Sequence, residues 1–156
     1  MEILISLLKT FQANSVVYTD LVRGLFWNNE STLMRQSRIV YEEIYENSEK
    51  AVHETSTWLR KLGAEASYTL EDYAKYQSLG NVKPDTYCGV EMAIHLVPIN
   101  KKMIEDIKVL ISIANANNEY GLSSYLSNRL SAHQEWNWFL ESSLKLPPNP
   151  WKSLKD

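Results

Sequence analysis

Glu42, Glu46, Glu49, His53 and Glu54 crowd one short stretch of the chain. Carboxylate and imidazole together form a ligand set that suits first-row divalent metals. Glu49 and His53 are four apart, a spacing that puts both on one face of a helix. Bundles that hold two metal ions in their interior carry Glu-x-x-His on two helices. Here His53 follows Glu49 by four, and neither His95 nor His133 follows a glutamate by three. The stretch is therefore either a weak metal site or a solvated helix face. His53 is either a ligand or a satisfied interface histidine.

Other chemistry finds less support. Cys88 is the single cysteine, so it makes no internal disulfide, which fits a reducing, cytoplasmic setting. It falls in a loop with no base beside it in sequence and does not read as a nucleophile. There is no Gly-rich phosphate loop and no Ser-His-Asp signature. The five Trp and nine Tyr read as core or interface packing rather than a redox chain. A formal net charge of −3 argues against a nucleic-acid coat. The apolar run at residues 3–8 is too short to span a membrane.

Long helices must position these residues, because Gly and Pro number only five each. Residues 3–27 carry Leu4, Leu7, Leu8, Phe11, Tyr18, Leu21, Val22 and Leu25, mostly at steps of three and four. A second helix is expected from an N-cap at Ser31 to Gly63. Its stripe runs through Met34, Tyr41, Ile44, Ser48, Ala51, Thr55, Trp58 and Leu62. The small residues 48, 51 and 55 should admit a neighbouring helix closely. A short helix follows at 69–79, capped by Thr69 and Asp72, and then a loop over 80–87. The third long helix covers 89–116, with Pro98 kinking or starting it. Its stripe (Ala93, Leu96 or Val97, Ile104, Ile107, Ile111, Ala114) is interrupted by polar Asn100. The fourth spans 120–145 through Leu122, Leu126, Leu130, Trp136, Leu140 and Leu144. Pro147 begins an irregular tail over about 146–156.

Phe26-Trp27-Asn28 resembles the His-Trp-Asn that closes the first helix in the Dps (DNA protection during starvation) family. Counted without a gap, the family's second His falls on Arg38, its next acid on Glu42, and its Asp-x-x-x-Glu on His53 and Thr57. Leu62-Gly63 then stands where the family has Leu-Gly. Trp138-Phe139-Leu140-Glu141 is similar to its fourth-helix signature, and Thr69 to Tyr73 sits at its crossover helix. The likeness spans about residues 5–145.

The resemblance implies an all-α, ferritin-like four-helix bundle with a short crossover helix between the second and third long helices, as one domain over 1–156. It implies a homo-oligomer, a twelve-subunit cage that sequesters iron or protects against stress. The family's ferroxidase site joins two His of one subunit to two carboxylates of its two-fold mate. Phe26, Arg38 and Thr57 supply no ligands there, which leaves Glu42 and His53 as the metal-capable residues and argues against ferroxidase activity. The alternative is a ferritin-like assembly protein that has lost metal binding. The family's acidic pore is represented by Glu119 alone, and a lysine-rich DNA-binding arm by just Lys145, Lys152 and Lys155. DNA binding is therefore not expected.

Overall fold

The computed structural model describes residues 1–85 and 87–145. The expected tail, with Lys152 and Lys155, lies outside the described residues. Five helices follow one another, with no strand among the described residues: α1 Glu2–Trp27, α2 Met34–Lys61, α3 Leu70–Tyr76, α4 Gly89–Ala116 and α5 Tyr120–Ser143. Short connections fold α1 against α2 and α4 against α5, and α1 joins the two hairpins by packing on α4. The fold is a four-helix bundle with a crossover between its halves.

The ends of the helices are set locally. Asn28 closes α1, its backbone N–H and its side-chain amide both reaching the carbonyl of Gly24 at 3.1 and 2.8 Å. The expected cap at Ser31 is not one: Ser31 opens a turn whose carbonyl accepts from Met34, and α2 starts three residues later. At the other end of α2, Gly63 takes φ +80°, the N–H of Gly63 reaches Arg60, and that of Ala64 reaches Leu59. This pair of bonds is a Schellman stop, which needs a left-handed residue at the glycine position. Thr69 caps α3 by accepting from Asp72 N–H at 3.1 Å, as its sequence suggests, although α3 ends at Tyr76.

Pro98 neither starts nor ends α4, which runs through it. Proline lacks the N–H that would bond the carbonyl of Ile94. Pro98 and Ile94 both face outward, where water can take that carbonyl.

The core runs through Leu4, Leu8 and Phe11 of α1, Ile44 and Leu59 of α2, Leu96, Met103, Ile107 and Leu110 of α4, and Trp136 and Leu140 of α5. At two of the small residues of α2, Ala51 and Thr55, a side chain of α5 reaches in. The Tyr125 hydroxyl lies 2.9 Å from Thr55 Oγ1 and donates to the Ala51 carbonyl at 3.1 Å. Burial pushes this phenol up to about 12. Gly121 of α5 lies against the Trp58 ring of α2, where a Cβ would stand 3.0 Å from Cη2.

Candidate metal centre

The last turn of α1 brings Phe26 beside the first turns of α2. Its ring packs on Tyr45, centroids 5.3 Å apart, and the Arg38 guanidinium lies 4.3 Å from its centroid. A second cation, Arg23, lies 5.9 Å from the Trp27 ring and 5.7 Å from the Tyr45 ring. Arg23 also bonds Glu49 at 3.1 Å and approaches Asp20 at 3.4 Å. The positions to which the sequence resemblance assigns imidazoles thus hold an aromatic cluster with two guanidinium groups against it. Cations seat well on ring faces, and a metal cation brought there meets two fixed like charges.

Glu42 and His53 are both exposed. They are eleven residues apart on one helix, and a helix rises about 1.5 Å per residue, so some 16 Å of axis separates them. Within one chain they share no ion. Thr57 turns its hydroxyl inward to its own helix, donating to the His53 carbonyl at 3.0 Å. Among the described residues no three His, Cys, Asp or Glu side chains stand together as a metal cage. Glu49 is taken by Arg23, Glu54 lies 4.0 Å from Lys50, and Glu46 is exposed, the pattern of a solvated helix face. The donor set does not fit a di-iron centre at this locus.

The interior of the bundle, where other helix bundles hold metals, has a different polar layer. The apolar pattern of the sequence places Tyr18 on a core stripe and marks Asn100 as an interruption, but it passes over Arg129 and His133 as interior residues. Tyr18 of α1 donates to Asn100 Oδ1 of α4 at 3.0 Å, and His133 Nδ1 of α5 lies 2.7 Å from the same oxygen. Asn100 Nδ2 donates to the His133 carbonyl at 2.9 Å. Trp136 meets the His133 ring edge-on at 4.7 Å. One turn before His133, Arg129 is also buried, with Nη1 donating to Asn47 Oδ1. Burial, followed by the charge of Arg129, holds His133 well below the usual histidine range. Burial also raises the Tyr18 phenol and lowers Arg129. A neutral imidazole, a phenol, an amide and a guanidinium offer no carboxylate to a metal, so this layer is a fastening.

The aromatics divide between inside and outside. Trp136 is core and Trp58 is partly buried, whereas Trp27 and Trp138 are 68% and 63% exposed. No helix among the described residues is long and apolar enough to cross a membrane.

No protein-family model and no curated protein matches the sequence. Solved structures do match the fold. Dps from Thermosynechococcus elongatus superposes with a TM-score of 0.89 at 19% identity, covering 96% of this chain and 94% of that one. Dps from Staphylococcus aureus gives 0.88 at 16%, covering 94% and 98%. The Dps protein of Vibrio cholerae O1, described as a member of a broad superfamily of ferritin-like diiron-carboxylate proteins, gives 0.86 at 21%, covering 92% and 90%. The chain has the ferritin-like fold of the Dps proteins.

Proposed function

We propose that this chain is one ferritin-like domain that assembles as a Dps-like, twelve-subunit shell for iron sequestration or stress protection. The observation that carries the reading is the complete architecture: four long helices and the crossover helix match Dps structures over nine-tenths of both chains. Apolar residues left outside support assembly. Leu33 and Ile39 of the α2 region and Trp138 and Phe139 of α5 are exposed in the single chain, a surface that a second copy would cover. Iron in such a shell is cargo. Glu42 and His53 are the metal-capable residues at the matching positions, and from two copies they supply one carboxylate and one imidazole.

A second reading, a shell or dimer that carries no metal, is favoured by the Arg38 guanidinium over Phe26. With a net charge of −3, few phosphates can be neutralised, so DNA is not a proposed partner. Particle mass by sedimentation, with iron content after aerobic ferrous loading, tests both readings. A closed shell retaining iron supports the first, and a shell or dimer without iron supports the second. A lone subunit at micromolar concentration overturns assembly altogether.

A further inference from the structure

Arg129 is the one Lys, Arg, Asp or Glu among the described residues that the bundle buries, at 6% exposed. Among the described residues no buried carboxylate opposes it. Asn47 takes Nη1, and the Trp136 ring lies 5.5 Å from the guanidinium carbon. Both contacts orient the group, and neither carries negative charge. Among the described residues Nε and Nη2 have no hydrogen-bond partner. These two nitrogens form one edge of the guanidinium, with parallel N–H bonds, the edge that grips an anion in bidentate fashion. Ser48 follows Asn47 on α2, and its hydroxyl is likewise buried without a partner. The acid closest in electrostatic effect is Glu54, whose side chain is 40% exposed and lies 4.0 Å from Lys50.

A guanidinium does not escape burial by losing its proton, since its ordinary pKa is too high. A buried charge needs a partner of opposite sign, and buried N–H groups need acceptors. Water would accept the hydrogen bonds but leave the charge uncompensated.

We propose that the Nε/Nη2 edge of Arg129 and the Ser48 hydroxyl hold a small monovalent anion, of halide or nitrate size, between α2 and α5. The anion completes the interior and adds stability in proportion to its occupancy. The anion must be small, because Arg129 and Ser48 are both buried.

The test is thermal unfolding of the purified assembled protein, with sodium chloride or sodium nitrate replacing sodium gluconate at fixed ionic strength. Gluconate is too bulky to enter. Above half-saturation the Tm should rise by roughly 3–5 °C per tenfold increase in free anion. Arg129→Met should abolish this dependence, and Ser48→Ala, which keeps the packing, should weaken it. Should Arg129→Met fail to fold, crystals of the unmodified protein grown with bromide decide the matter by anomalous scattering. A bromide peak within hydrogen-bonding reach of Arg129 Nε and Nη2 supports the site. An ordered water or a partner subunit's carboxylate there, or a Tm indifferent to chloride and nitrate, overturns it.

Discussion

His133 Nδ1 lies 2.7 Å from Asn100 Oδ1, and both side chains are sealed inside the bundle. That oxygen is an acceptor and already receives the Tyr18 hydroxyl, so the histidine donates to it through Nδ1–H, and burial with the nearby charge of Arg129 favours the neutral ring. The layer couples three of the four long helices through one amide.

The neutral histidine makes stability depend on acidity. Its folded pKa is held well below the ordinary value by burial and then by Arg129. Above the unfolded pKa of about 6.5 the two states carry equal charge, and the contribution is complete. As pH falls below that value the unfolded chain takes a proton that the folded one refuses. Stability is then lost, by up to about 1.4 kcal/mol per pH unit, until the folded pKa is reached. Urea unfolding from pH 7.5 to 5 should show this slope, and His133→Gln should flatten it. An identical slope in the variant would assign the effect to other groups.

Asn100→Leu keeps approximate volume and strands two donors, the Tyr18 hydroxyl and His133 Nδ1–H. Each orphaned buried group costs about 1–3 kcal/mol, so a loss of roughly 2–6 kcal/mol is expected by chemical denaturation. Adding Tyr18→Phe should recover part of it, because one stranded donor disappears. A double variant no more stable than Asn100→Leu would count against this assignment.

The same two residues show how far the sequence could be read. Buried positions on α4 include 96, 100, 103, 107, 110 and 114, and on α5 122, 126, 129, 133, 136 and 140. Both are unbroken seams of alternating three and four. The apolar criterion stopped at Asn100 and passed over Arg129 and His133, because pairing across helices is invisible to a one-residue scale. The stop at Gly63 and the cap at Thr69 were legible, since each acts through bonds a few residues away, whereas the cap expected at Ser31 was not one. The gapless run from Phe26 to Gly63 also gave the fold. It did not reveal that Arg38 would lie on Phe26, because that contact depends on where α2 begins relative to α1.

If the register is right, the locus should be restorable. The unmodified protein should oxidise ferrous iron no faster than buffer. Combining Phe26→His, Arg38→His, His53→Asp and Thr57→Glu should give saturable, faster oxidation and stoichiometric iron binding in titration. Rapid oxidation by the unmodified protein that vanishes in His53→Ala would sink the first expectation. An assembled quadruple variant that binds no iron would sink the second.

Gly63→Ala isolates a purely backbone effect. A Cβ there has nothing within 4 Å, so the left-handed φ of +80° is the sole penalty. The left-handed conformation costs a residue with a side chain roughly 1–2 kcal/mol. Thermal denaturation should show a loss of that size with assembly unchanged. Gly24→Ala, also in open space but helical, should be neutral or stabilising.

α1 also governs how the chain finds its crossover. Gln12 exchanges two hydrogen bonds with the backbone of Ser67, each 3.0 Å, and Asn14 receives the Ser78 N–H at 2.8 Å. These amides pin the connection on both sides of α3, which buries no residue of its own. In chain-entropy terms the long tether over 62–88 becomes three short segments once the pins engage. The cost of closing a loop rises with the logarithm of its length, about 0.6 kcal/mol per doubling. After Ser78 is fixed, α4 has only a short arc to search before docking on α1. The second hairpin is thereby directed to one side of the first, and two polar side chains on α1 help to set the topology of the bundle.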